Sequence, residues 1–205
     1  MIRLGALIVR RGIVTFARSW RAQLWLTTDD ALPTSPYIVS EDGVQWQGIV
    51  TATKASAGSR YVTMEGAPEL LQTVAPKSYR QTNLRAVLTH TLSQAGLTLD
   101  PNSDETALIT RVRVHVRSWI SATEALNALG NQYNFTWHIT PGRTVRINPP
   151  KTDVTGLIAV DESGPVVHAS APGFVALPTQ TYKGSDVGLC IYEVDEKSMQ
   201  LEMYT

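Results

Sequence analysis

Residues 111–130, RVRVHVRSWISATEALNALG, change character halfway along. The first seven alternate, with Val112, Val114 and Val116 on one side and Arg111, Arg113, His115 and Arg117 on the other. Alternation of period two predicts a half-buried strand, valines inward and charges outward. The second half has helical spacing. Ser121-Ala122-Thr123-Glu124 is a capping box, in which the serine oxygen takes a backbone N–H and the glutamate reaches back to the serine's own. Ala125, Leu126, Leu129 and Tyr133 continue as the buried stripe of that helix.

The neighbours of this stretch extend the pattern. Leu84, Val87, Leu88, Thr91, Leu92 and Ala95 fall at helical spacing, with Thr82 or Asn83 as the N-cap and Gly96 as the left-handed C-terminal cap. Phe135–Ile139, a Pro141-Gly142 turn and Thr144–Ile147 read as a hairpin. Residues 76–150 therefore predict a compact α+β unit, which Pro149-Pro150 ends.

Outside it, short strands and turns alternate. Residues 1–75 carry Arg21–Leu26, a Glu41-Asp42-Gly43 turn, Val44–Val50, a Ser56-Ala57-Gly58-Ser59 turn and Arg60–Met64. Residues 151–205 carry Leu157–Val160, Val166–Ala169, Leu189–Val194 and Met199–Tyr204, with a Pro- and Gly-rich loop between Ala171 and Ser185. Strands at this spacing predict small antiparallel sandwiches or barrels. The expected class is α+β, mainly β: a barrel at 1–75, the α+β unit at 76–150, and a second barrel at 151–205 that completes the first or packs on it.

Composition narrows the function classes. Lys+Arg of 18 balances Asp+Glu of 18, so any basic patch that met nucleic acid would have to be local. One cysteine, Cys190, makes neither an internal disulfide nor a paired-cysteine metal site, and its place in an apolar strand marks inert packing. The N-terminal LGALIV run is too short for a membrane span and lacks a cleavage site, so neither anchor nor signal peptide is expected.

Catalytic constellations are missing. There is no G-x-S-x-G elbow, P-loop, dinucleotide-binding glycine fingerprint or H-E-x-x-H. His90, His115, His138 and His168 are scattered and read as surface or packing residues. Asp29-Asp30 reads as a solvated turn. The expectation is a protein that is no enzyme, with no cofactor and no metal. Trp46 fits a core position. Trp25 shares its face with Arg21 and Gln23, which suits either a protein–protein contact or edge shielding.

In order, the segments GIVTFARSWRAQLWL, DGVQWQGIVTATKASAGSRYVTMEGAPELL, APKSYRQTNLRAVLTHTLSQAGL and VGLCIYEVDEKSMQLEMYT carry a pattern. A strand, G-x-V/I and a second strand lead through Tyr79-Arg80 into an L-x-x-V-L helix ending in Ala95-Gly96, then a capping-box helix and an aromatic hairpin. This resembles, over nearly the whole chain, the baseplate hub proteins at the tail tip of tailed bacteriophages, which are related to the spike bases of type VI secretion systems. The resemblance implies two adjacent barrels and a closed ring, typically a trimer, that continues the tail-tube lumen. The implied partners are copies of the same chain, tail-tube or distal tail proteins, and a central spike or tail fibres, with DNA only in transit. The implied location is the virion, after assembly in the host cytoplasm. The chain is shorter than many hub proteins and lacks a large insertion or fused lysozyme, so the resemblance does not by itself carry over a spike or a muralytic activity.

Under this reading Arg21, Trp25, Arg111, Arg113 and Arg117 are the candidate contact residues. The arginine face of 111–117 is either a plain solvated face or a contact with an acidic neighbouring subunit, with nucleic-acid binding third. The alternatives in function are a cell-wall hydrolase of the injection apparatus and a nucleic-acid-binding accessory domain.

Overall fold

A computed structural model describes residues 2–27, 31–40, 43–56, 58–174 and 176–205. The expected Asp29-Asp30 turn, Glu41 and Asp42 of the first loop and Ala57 of the second lie outside the described residues. Contacts divide the chain into two units, residues 1–66 with 150–205, and residues 67–149.

The first unit is built on an eleven-stranded antiparallel sheet. Its central strand, Leu7–Phe16, pairs with Trp20–Leu26 on one side and with Leu189–Asp195 on the other. Trp20–Leu26 pairs in turn with Ser59–Glu65, and that with Ile49–Ser56. Beyond Leu189–Asp195 come Met199–Tyr204, Val166–Ser170 and Ile158–Ser163. The mainly-β α+β class holds. Strands from both ends of the chain share one sheet, so the C-terminal segment joins the N-terminal one, and among the described residues no sheet closes into a barrel. Pairing Gly12 with Val194 is a non-local choice that local periodicity cannot encode.

Alternation decides the faces of this sheet. Val14, Ala22, Leu24, Val62, Met64, Cys190, Tyr192 and Leu201 turn inward and are at most 2% exposed. Phe16 centres an edge-to-face cluster with Trp46 at 4.7 Å, Phe174 at 5.1 Å and Tyr192 at 5.9 Å. Such pairs add about 0.5–1.5 kcal/mol beyond burial. The Tyr192 hydroxyl satisfies itself inside the core, donating to the Ala176 carbonyl (2.8 Å) and accepting from the Ala176 N–H (2.7 Å). Trp20 fits between Gly48 and Gly66. A Cβ at Gly66 would lie 2.5 Å from the indole, so no larger residue fits without movement.

The second unit contains helix α1 (Leu84–Gln94), the one-turn helix α2 (Glu105–Leu108) and helix α3 (Ala122–Tyr133). Both longer helices end as the sequence requires. The Asn83 side chain accepts the Ala86 N–H, and Gly96 adopts φ 73° while the Leu97 N–H closes onto the Leu92 carbonyl. The Ser121–Glu124 box is complete, with Glu124 N–H to Ser121 Oγ at 3.2 Å and Ser121 N–H to Glu124 Oε2 at 2.8 Å. The strand Lys77–Asn83 pairs with Arg111–Arg117, and Trp137–Ile139 pairs with Val145–Ile147. Helix α2 and the strand Lys77–Asn83 carry weak periodicity and are additions to the expected order.

Candidate interaction surfaces

The ribbon formed by Lys77–Asn83 and Arg111–Arg117 does not keep the alternation its sequence suggests. Val112 is buried, but Val114 and Val116 are 56% and 68% exposed, while Arg117 is only 2% exposed. The inward side switches midway. Val112 stands opposite Thr82 and Val114 opposite Arg80, and between them Gln81 adopts a left-handed φ of 52°. A single residue in that region breaks the pleat and twists the strand about its axis. Arg113 and Val114, both exposed, mark the switch on the facing strand.

Beyond the switch, the inner side of the ribbon is polar and meets the helices. Tyr79 hydroxyl lies 2.8 Å from His90 Nδ1 on α1, and His115 Nδ1 lies 3.0 Å from Gln132 Oε1 on α3. Arg117 donates from Nε (3.0 Å) and Nη2 (2.7 Å) to the Ala75 carbonyl, from Nη1 to Thr91 Oγ1, and from Nη2 to Gln94 Oε1 (2.8 Å). Arg117 is therefore no part of an outer contact face. It ties the end of the ribbon to α1 through neutral acceptors. Burial first, then the positive charges of Lys77 and Arg117, hold the His90 pKa below its ordinary value.

The other two arginines of the strand Arg111–Arg117 are exposed, as expected. Arg111 donates to the Gln81 side chain, and Arg113 makes no hydrogen bond or ion pair among the described residues. Beside them stand Val114, Val116 and, just past the strand, Trp119, which is 68% exposed. Sequence reasoning missed these three because alternation assigned the valines to the core. The remaining signal was Trp119 itself, an indole next to Ser118 outside any periodic run.

Arg21 and Trp25 lie on the outer face of the large sheet, four residues apart on one strand. Arg21 pairs with Glu65 at 3.7 Å. Trp25 is half-buried in a row that register places on one face: Asp195, Arg11, Trp25, Tyr61 and Lys54. The Arg11 guanidinium sits 4.8 Å above the Trp25 ring, and Trp25 and Tyr61 centroids are 4.9 Å apart. Arg11 and Tyr61 were invisible as partners because they lie fourteen and thirty-six positions away in sequence.

The remaining candidates for chemistry are spread apart. Burial pushes the Cys190 thiol up to about 12, far from a reactive thiolate. His138 is held down to about 4, by burial first and by Arg146 second, against the opposing charge of Asp100. Among the described residues no three His, Cys, Asp or Glu side chains are grouped to hold a metal ion. No helix among them is long and apolar enough to cross a membrane.

No protein-family model matches the chain, and no curated protein matches it in sequence. Its fold does have solved counterparts. The tail protein from Neisseria meningitidis aligns over 98% of this chain and 94% of its own, with a TM-score of 0.66 and 10% identity. The 43 kDa tail protein of prophage MuSo2 from Shewanella oneidensis aligns over 98% and 95%, with a TM-score of 0.64 and 8% identity. The E. coli c3393 protein, a component of the type VI secretion system, aligns over 100% and 76%, with a TM-score of 0.62 and 8% identity. The chain has the fold common to these two tail proteins and to the c3393 component of the type VI secretion system.

Proposed function

We propose that this chain is a non-enzymatic structural subunit of a bacteriophage tail, a hub that joins the tail tube to the tail tip. Copies close into a ring, a homotrimer, whose lumen passes the genome, and the outer surfaces dock tail-tube and spike or fibre proteins. The observation that carries this reading is likeness to a prophage tail protein and to a Neisseria meningitidis tail protein, each over 98% of the chain, at TM-scores of 0.64 and 0.66.

The mechanism is steric. A ring subunit needs surfaces that are solvated alone and covered on assembly, and arginine and tryptophan are enriched in such contacts. Arg21, Trp25, Arg111 and Arg113 are the contact residues of this proposal, each at least partly exposed. Arg117 acts indirectly, by fixing the ribbon that presents Arg111 and Arg113. Neither a cofactor nor a metal enters the function.

Light scattering on the purified chain, alone and with tail-tube protein, tests the reading. A species of three times 22.5 kDa, or one that forms on adding tube protein, is the expected result. A strict monomer that ignores tube protein overturns it, as does measurable turnover of purified peptidoglycan.

A further inference from the structure

One end of the large sheet's outer face holds a cleft of about 620 Å3, within the range of about 300–1,000 Å3 common for ligand sites. Arg10, Arg11, Trp25, Asp195, Glu196 and Lys197 contribute to its walls. We propose that this cleft receives an acidic, extended segment of a neighbouring protein, with Arg11 and Lys197 taking its carboxylates and Trp25 its apolar stems.

The charges of the cleft are unevenly committed, and that decides what it can bind. Both carboxylates are occupied. Asp195 accepts from the Lys197 N–H (2.7 Å), the Ser198 N–H (2.6 Å) and the Ser198 hydroxyl (2.8 Å), closing the turn between the last two strands. Those bonds, the Lys197 N–H first, hold its pKa below the usual carboxylate range, so it stays an acceptor at neutral pH. Glu196 pairs with Arg10 at 3.7 Å. Among the described residues the Arg11 guanidinium and the Lys197 ammonium have no hydrogen-bond acceptor, although the Lys197 charge also acts on Asp195. The uncommitted groups of the cleft are therefore cationic and aromatic.

Arg11 is also held in place before any ligand arrives. Its guanidinium carbon lies 4.8 Å from the Trp25 ring centre, and Trp25 leans on Tyr61 at a tilt of 57°, so the group, with its fork of N–H donors, is supported from one side. A pre-ordered guanidinium loses less side-chain entropy on binding and matches a carboxylate with two parallel hydrogen bonds. Lysine in its place would keep the charge and lose the fork.

The wider charge pattern selects protein over nucleic acid. The segments that form this unit carry ten Lys and Arg against thirteen Asp and Glu, a net of minus three. Polyphosphate binding depends on many simultaneous cationic contacts along a backbone, more than this cleft provides. Two cations that lack a hydrogen-bond acceptor among the described residues, beside an indole, suit a few carboxylates on an extended chain instead.

The partner's identity as a tail protein rests on the function proposed above, whereas the chemistry of the cleft does not. The probe is an N-terminally fluorescein-labelled hexaglutamate peptide, titrated with the full chain at low salt and followed by anisotropy. Saturable binding is expected, weakened about tenfold or more by Arg11→Ala and about threefold or more by Lys197→Ala. Arg11→Lys should recover only part of the loss, and Arg85→Ala, a charge-matched control outside the cleft, should bind within twofold of the parent. Circular dichroism checks that each variant is folded. The proposal is overturned if no saturation is reached by millimolar protein, if Arg85→Ala weakens binding as much as Arg11→Ala, or if a hexathymidine oligonucleotide binds more tightly than the peptide. A chain that binds hexaglutamate in this way yet stays monomeric with tube protein would sink the hub reading alone. A chain that trimerises without binding the peptide would sink the cleft alone.

Discussion

Truncating Arg117 should destabilise the protein severely, and truncating Arg113 four residues earlier should not. The two look equivalent in sequence, but the first is 2% exposed and makes four hydrogen bonds. Arg117→Ala leaves the Ala75 carbonyl with neither of the guanidinium donors it had, and removes one donor each from Thr91 and Gln94. Gln94 keeps the Ala75 N–H at 3.0 Å, and the Thr91 hydroxyl still donates to the Val87 carbonyl at 2.8 Å, so neither is fully orphaned. Hydrogen bonds to a charged group contribute about 1.5–3 kcal/mol each, but the bonds here share acceptors and do not add. Burying a charge without a carboxylate partner costs several kcal/mol, which offsets much of the total. With the cavity left by the lost stem, a net loss of about 3 kcal/mol is reasonable. At about 1.4 kcal/mol per decade, amide exchange in α1 through opening of this unit should speed up about 100-fold. Arg113→Ala should stay within about 0.5 kcal/mol, as for other exposed positions. Hydrogen–deuterium exchange of α1 amides reads both variants locally. If Arg117→Ala leaves exchange unchanged, or Arg113→Ala matches it, the reversed ribbon face described here is wrong.

Three further outcomes are expected. Gly66→Ala drives a methyl to 2.5 Å from the Trp20 ring and should cost about 2 kcal/mol, seen as a Tm lower by about 4–8 °C; Trp20→Leu should recover part of that loss. Ser121→Ala opens the capping box and should cost about 1 kcal/mol in urea unfolding, with the loss of protection concentrated in the first turn of α3. His138 stays neutral in the fold down to about pH 4, whereas the unfolded chain takes up a proton near its ordinary 6.5. Its stabilisation is therefore complete above pH 6.5 and declines as pH falls toward 4, by at most about 3 kcal/mol at 1.36 kcal/mol per unit. His90, also held low, acts in the same sense, so the readout is the difference between parent and His138→Gln in pH-dependent urea unfolding. A difference that stays flat from pH 7 to 4.5 would refute the assignment.

Local chemistry carried the legible part of the fold. Asn83, Gly96 and the Ser121–Glu124 pair set helix ends through bonds spanning a few residues, and those ends lie where the sequence places them. Inner and outer positions of Trp20–Leu26 and Met199–Tyr204 also follow their alternation. Two features were not legible. Pairing Leu7–Phe16 with Leu189–Asp195 is chosen by a shared core and not by either segment alone. The reversal in Arg111–Arg117 depends on Gln81, a residue on a different strand whose positive φ no composition signal announces. Of the candidate contact residues, four kept their exposure, and Arg117 went inside because Thr91, Gln94 and the Ala75 carbonyl offered it acceptors.

The shared sheet imposes a timetable on synthesis. Leu7–Phe16 is the hub of eleven strands, yet one of its two long flanking strands, Leu189–Asp195, leaves the ribosome more than 170 residues after Phe16. At about 5–20 residues per second, the opening strands wait roughly ten to forty seconds with one flank bare. The 67–149 stretch, contiguous in sequence, can meanwhile fold on its own schedule. A nascent chain thus completes this sheet only after residues 189–195 have emerged. Truncated products then lack the sheet's second flank, so quality control is written into the strand order itself.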